Sequence, residues 1–326
     1  WPSMSAATTL LVPKEHYGRA SGLTQLGEAL PAIAGPALAG ALYVTIKLGD
    51  MALIDFATYI FSVLLMLFFV RIPNPERTIA QDAPSVWKEI RFGWDYIVQR
   101  KGLLALLIFF MVFNFLSGLM NPLITPLILD NWDASTLGFL STLMGIGMLA
   151  GTLVMSAWGG SKRKVYTLLG ASIVDGLFLI AAGLRASLPL IAVAGFGVMF
   201  AEPIINAASQ AIWQVKVAPD LQGRVFAFRR TIAWSAGLIA PLLAAPLADY
   251  IFKPGMAPGG ALAPVIGPIF GVGASRGVGV MISLVGLSIT LLAVITLNIP
   301  RLTSVEMDLP DHDLAKSAPE AQLEES

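Results

Sequence analysis

Runs of mostly apolar residues, each long enough to cross a bilayer, recur along this chain of 326 residues. A membrane helix needs about 20 such residues to traverse the hydrocarbon core. Eight runs meet that length: 23–46, 51–70, 103–129, 136–158, 165–184, 188–214, 226–252 and 277–297, with 1–12 reading as the end of a ninth. Only 13% of the residues are charged, against about 25% in a soluble domain, so most of the surface must face lipid. The Pro and Gly residues inside several runs fit membrane helices, where neighbouring helices re-satisfy the freed backbone groups. The predicted fold class is an all-α polytopic membrane protein.

The cations orient the spans. Lys and Arg concentrate in cytoplasmic loops, and with the 13–19 loop placed inside, 17 of the 21 fall inside and only Lys47, Arg185, Lys253 and Arg276 outside. The longest inside loop, 71–102, carries Trp87, Ile90, Trp94 and Ile97 at 3,4,3 spacing, opposite Lys88, Glu89, Arg91, Asp95 and Gln99. That pattern predicts an amphipathic helix lying at the interface. The Gly- and Pro-rich stretch 253–276 reads as an outside loop too broken to span. From residue 299 the chain turns acidic (Glu306, Asp308, Asp311, Asp313, Glu320, Glu324, Glu325), and a disordered cytoplasmic tail over 299–326 is expected.

Two segments repeat. VPKEHYGRASGLTQLGEALPAIAGPALAGALY begins at Val12, and APDLQGRVFAFRRTIAWSAGLIAPLLAAPLADY begins at Ala218. Gly18-Arg19 aligns with Gly223-Arg224 and Pro36 with Pro241, at a constant offset of 205, and Gly35 and Gly40 meet Ala240 and Ala245. If the second repeat starts at residue 103, three spans and most of a fourth are expected ahead of residue 1. The chain then reads as an N-terminally truncated part of a twelve-span protein with two six-span halves. Its expected domains are the remainder of the first half (1–70), a cytoplasmic linker (71–102), the second half (103–298) and the tail. Trp rather than Met at position 1, with no cationic segment before an apolar one, fits that expectation.

Gly27, Pro31, Gly35, Pro36 and Gly40 resemble the Gly/Pro signature on the fifth helix of drug–proton antiporters of the major facilitator superfamily. The stretch from Gly151 through Gly159, Gly160, Ser161, Lys162, Arg163 and Lys164 resembles a degraded second copy of that superfamily's Gly-rich basic loop. VPKEHYGRASGL (from Val12), IDFATYIFS (from Ile54) and GASRGVG (from Gly273) are similar to the macrolide- and siderophore-efflux-like bacterial subfamily. The resemblance implies parallel halves related about the membrane normal, with substrate bound between them near the midplane. On the residues alone, Gly27, Pro31 and Gly35 at four-residue spacing form a close-packing face; a gating role, with Pro241 as its repeat counterpart, is the other reading. For Arg19, Gly160, Lys162, Arg163, Lys164 and Arg224 the two readings are topology anchoring and a latch between helices.

Ionisable and polar groups at membrane depth carry what chemistry is readable. Glu202, Asn206 and Gln210 form a stripe at i, i+4, i+8 on the 188–214 span, and Asn114, Ser117, Asn121 and Thr125 form another on 103–129. The resemblance makes these the seventh and tenth helices and implies that both line the central cavity; interhelical hydrogen bonding is the alternative. Glu202 lies 12 residues from the inner end of its span, about 18 Å deep at 1.5 Å per residue. It ranks first among proton-coupling candidates, followed by Glu28 and Asp175, each equally readable as a buried, hydrogen-bonded carboxyl. No cation stands out deep in a span, so no fixed anion receptor is expected.

Zero net charge argues against nucleic-acid binding, and the absence of Cys excludes thiolate chemistry. His16 falls in a loop and His312 in the tail, and no nucleophile elbow or phosphate-cradling loop is present. Neither catalytic residues nor a metal or cofactor are expected. The reading is a monomeric secondary transporter of the inner membrane, exporting a small amphiphilic compound by alternating access with protons as coupling ion. The alternative is a lipid-handling or non-transporting, receptor-like member of the same fold.

Overall fold

A computed structural model describes residues 35, 48–69, 86–217 and 219–309. Helices are the only regular secondary structure among the described residues, without strands. Seven of their helices are long and apolar enough to cross a membrane. They are α1 (Leu48–Phe69), α3 (Lys101–Leu129), α4 (Ala134–Trp158), α5 (Lys164–Leu184), α6 (Leu188–Lys216), α7 (Pro219–Leu247) and α10 (Ala274–Leu297); α2 is Val86–Gln99. The spans read between residues 51 and 297 thus recur within a few residues, α7 starting earlier than its apolar run. Pro241 and Pro246 remove two donors from α7, and its ladder widens into a π turn over Ala248–Phe252. The broken 253–276 stretch forms only the short helices α8 (Lys253–Met256) and α9 (Ala263–Phe270).

Helices α3 to α7 and α10 build the core in pairs: α3 with α7, α4 with α6, and α5 with both α6 and α10. Glycine makes each approach close. A side-chain carbon added at Gly118 would stand 2.8 Å from Gly237 O and 2.9 Å from Ala240 Cβ, across the α3–α7 contact. Gly147 and Gly151 of α4 press on the Phe196 and Phe200 carbonyls of α6. Gly176 and Gly183 of α5 face Gly286 and Gly279 of α10, seven residues apart on each antiparallel helix. In lipid, where apolar burial supplies little drive between helices, backbone proximity and van der Waals contact hold such pairs together. The outward faces, such as Trp234, Leu238 and Leu242 of α7, are exposed and apolar, as lipid requires.

The ends of the bundle are tied by polar groups. At one end, Asp133 caps α4: its carboxylate accepts from Thr136 N (2.9 Å), Thr136 Oγ1 (2.7 Å) and Ser135 Oγ (2.9 Å). The Thr136 hydroxyl above all, then its amide and Ser135, hold that carboxyl down at about 2, from 3.8. At the other end, Gly159 and Gly160 both take positive φ (70° and 82°), a turn that side chains resist, and Lys164 Nζ reaches back to Gly159 O (2.6 Å).

Two features differ from the sequence expectation. The tail does not become disordered at residue 299: α11 (Pro300–Thr303) and α12 (Val305–Asp308) fold under the bundle with Leu302 and Val305 buried. Glu306 accepts from the amides of Lys164 (2.9 Å) and Val165 (3.0 Å), where a helix start leaves donors unmet and favours negative charge. Lys216 Nζ donates to the Glu306 and Leu309 carbonyls, each at 2.6 Å. Acidic composition hid this, because the charge that suggests disorder is the one α5 needs. Residues 310–326 lie outside the described ones. The second difference is α2, which buries Gly93, Tyr96 and Ile97 against the bundle, while Ile90 and Trp94 remain exposed. Its contact face is rotated from the predicted stripe because Gly93 admits Phe228, 2.8 Å from an added carbon, and the Trp94 ring meets Phe228 edge-on at 6.1 Å.

Gly183→Leu should lower the thermal midpoint of the detergent-solubilised protein, by about 1–3 kcal/mol of overpacking, whereas Gly170→Ala, which meets open space, should not. Asp133→Ala should be less stable than the parent at neutral pH. Because folding lowers that carboxyl, its contribution is complete above about 3.8 and fades as pH falls towards 2; the two midpoints should converge over that window in a pH series of thermal melts.

Candidate functional site

Two of the three ranked carboxylates come together. Glu202 stands at the centre of the 29-residue α6, followed by Pro203, and Asp175 in the middle of the 21-residue α5 packed beside it. Asp175 is 2% exposed and Glu202 half-buried. Among the described residues no hydrogen bond ties down the Asp175 carboxyl. Glu28, the other candidate, lies outside the described residues.

Below Glu202 the stripe becomes a polar bridge. Asn206 Nδ2 donates to the Glu202 carbonyl (3.1 Å) from an exposed position. Gln210 Oε1 accepts from Arg229 Nη1 at 3.0 Å, and Ser209 Oγ from Arg229 Nη2 at 2.9 Å. The guanidinium also sits 4.9 Å from the Trp213 ring centre and 6.0 Å from that of Phe110, a cation–π arrangement suited to a poorly hydrated charge. Arg229 therefore crosses from α7 to α6 inside the bundle, three residues into the apolar run that starts at Phe226. A signal for it exists: it is four residues from both Val225 and Ala233, which are buried on the same face of α7. Counting it as a loop cation concealed that register.

The other stripe divides. Asn114 and Ser117 are half-buried, Asn114 Nδ2 bonding its own helix at Phe110 O (2.7 Å), while Asn121 and Thr125 are exposed beside Pro122 and Pro126. Helix α3 contacts α7, α10 and α4, whereas α6 contacts α4 and α5, so the two stripes belong to different helix pairs. Between those pairs lies an apolar void of about 50 Å³, lined in part by Met120, Met144, Met199 and Ile282. It is far below the roughly 300–1,000 Å³ of a drug-sized site.

Of the Gly/Pro group, Gly35 is helical and Pro241 half-buried inside α7; Gly27, Pro31, Pro36 and Gly40 lie outside the described residues, as does Arg19. In the basic loop Lys162 and Arg163 are exposed, Lys164 is drawn into the turn that Gly160 helps form, and Arg224 lies 5.9 Å from the Phe92 ring centre. No group of three or more metal-ligating side chains occurs among the described residues.

A membrane-embedded helical bundle with paired intramembrane carboxylates and a basic Gly–Gly turn is the setting in which the family match falls: the model of the Major Facilitator Superfamily matches residues 1–241. The chain belongs to the major facilitator superfamily. Among its curated relatives, macrolide efflux protein A of Streptococcus pyogenes is 26% identical over 258 residues, 77% of this chain and 62% of that protein. Macrolide efflux protein A of Enterococcus faecalis is 26% identical over 235 residues, 71% of this chain and 72% of that one. The uncharacterized MFS-type transporter YkuC of Bacillus subtilis is 29% identical over 242 residues, 69% of this chain and 55% of that protein. The chain thus spans 62% of the length of the streptococcal relative. The family is one of membrane transporters, which handle small molecules, rather than of enzymes.

Arg229→Ala leaves Gln210 and Ser209 without their donor. The variant should lose of the order of 2 kcal/mol of stability, read as a lower thermal midpoint, and Arg229→Lys should recover only part of it because one ammonium cannot reproduce the fork.

Proposed function

We propose that the intact protein is a secondary active exporter of a small amphiphilic compound, of the kind that macrolides and siderophores represent, driven by proton entry. The observation that carries this reading is the placement of Asp175 and Glu202 in mid-span on helices that pack together. Ionisable groups are costly at that depth and are kept where they face a partner or a pathway. The half-buried Glu202 is the member that solvent or substrate reaches from the α6 surface, and Asp175 is its enclosed partner. Asn206, Gln210, Asn114, Ser117, Asn121 and Thr125 supply the polar part of the cavity wall, the remainder coming from the first half. The names of the streptococcal and enterococcal relatives support efflux and a macrolide-like substrate.

In this reading the protein sits in the inner membrane with the 71–102 linker and the C-terminus cytoplasmic, as the cation distribution favours. It works as a monomer whose two halves rock about the central site. Arg19, Arg224 and the 162–164 cations anchor the cytoplasmic ends, and the Gly27, Pro31, Gly35, Pro36 and Gly40 face and Pro241 take part in closing the pathway.

The test is uphill transport by the full-length protein in liposomes with an imposed pH gradient. Glu202→Gln and Asp175→Asn should each reduce gradient-driven macrolide flux by about tenfold or more, while substrate exchange at equal pH persists, since exchange needs no net proton transfer. Undiminished uphill flux in both variants overturns coupling through this pair.

A further inference from the structure

The GASRGVG segment, not used in the transport reading, builds a second site. Arg276 is only 8% exposed, and its guanidinium plane is fixed by two carbonyls: Nε donates to Phe270 O (2.7 Å) and Nη2 to Gly183 O (2.9 Å). Two of the five N–H donors of a guanidinium are thereby used. Carbonyls satisfy donors without neutralising the charge. Arg185, two residues beyond Gly183, lines the same open cavity of about 370 Å³, together with Ala186, Pro268 and Gly271. Among the described residues neither arginine meets a carboxylate at ion-pair distance. A carbon added at Gly271, which takes φ +85°, would stand 3.8 Å from the Arg276 side chain.

Two like charges converging on one cavity repel each other unless an anion joins them. The guanidinium fork matches the oxygens of a phosphate better than an ammonium does. The location narrows the ligand further. The cavity opens at the end of the bundle remote from Lys162, Arg163 and Lys164, where Val265, Ile269 and Val272 of the same segment are all more than half exposed. Guanidinium groups bordered by exposed aliphatic side chains are the layout met by a molecule with an anionic head and an apolar body at the bilayer surface.

We propose that the Arg185–Arg276 cavity binds a phosphate-type oxyanion, as carried by an anionic phospholipid headgroup or by free phosphate. The site is separate from the carboxylate pair and does not depend on the transport reading.

The experiment compares thermal midpoints of the full-length protein in nanodiscs of phosphatidylcholine and of phosphatidylcholine with phosphatidylglycerol, and in neutral detergent titrated with inorganic phosphate. A rise with phosphatidylglycerol that Arg185→Ala abolishes and Arg185→Glu reverses supports the site with a lipid source. A rise with inorganic phosphate in detergent, weakened about tenfold in apparent affinity by Arg185→Ala, supports it with a free source. Arg276 also holds two carbonyls, so Arg276→Lys serves as the second variant: a folded Lys variant should keep part of the response. Stabilisation by neither anion, or stabilisation that survives Arg185→Ala intact, overturns the proposal.

Discussion

Backbone-to-backbone contact at glycine is the constraint on which the rest of the bundle depends. Where Gly176 and Gly183 meet Gly286 and Gly279, and where Gly118 meets Gly237, two helices approach as closely as their main chains allow. In lipid that proximity is what holds them, because apolar side chains gain little by leaving one hydrocarbon for another. The close pairs also decide which positions are left over for polar groups. With α5 locked to α10 on one side and packed on α6 on the other, Asp175 has nowhere to face but the interior. Glu202, on the outer surface of the same contact, keeps a path outwards.

Much of the fold could be read from the chain because the bilayer imposes a length on each span and a sign on each loop. The helix ends and the broken 253–276 stretch follow from those two rules. What could not be read is pairing. The seven-residue spacing of glycines on α5 and α10 is present in the sequence, yet nothing there says that these two helices are partners. The tail shows a different limit. Composition judged residues 299–309 by their average, whereas their fate depends on a single carboxylate, Glu306, finding two amides far away in the chain.

The candidate site was legible in its residue types and less so in its geometry. Glu202, Asn206 and Gln210 fall on one face as their spacing indicates, and Asp175 is an ionisable residue in the middle of a span. Periodicity within one helix cannot show that two carboxylates lie mid-span on helices that pack together. Nor did it separate Gln210, committed to Arg229, from Asn206, which remains exposed. Arg229 was hidden because it sits beside Arg230 at the N-terminal edge of an apolar run, where a cation normally marks the limit of the membrane.

The Glu306 contact has a consequence for biosynthesis. Glu306 follows Lys164, whose amide it receives, by 142 residues. At roughly 5–20 residues per second, the N-terminus of α5 waits on the order of ten seconds on the ribosome before its last partner is made. During that interval the helix is already long enough to insert, but its first amides have only water or lipid headgroups for company. The bundle is therefore closed late: Glu306 completes the start of a helix made 142 residues earlier.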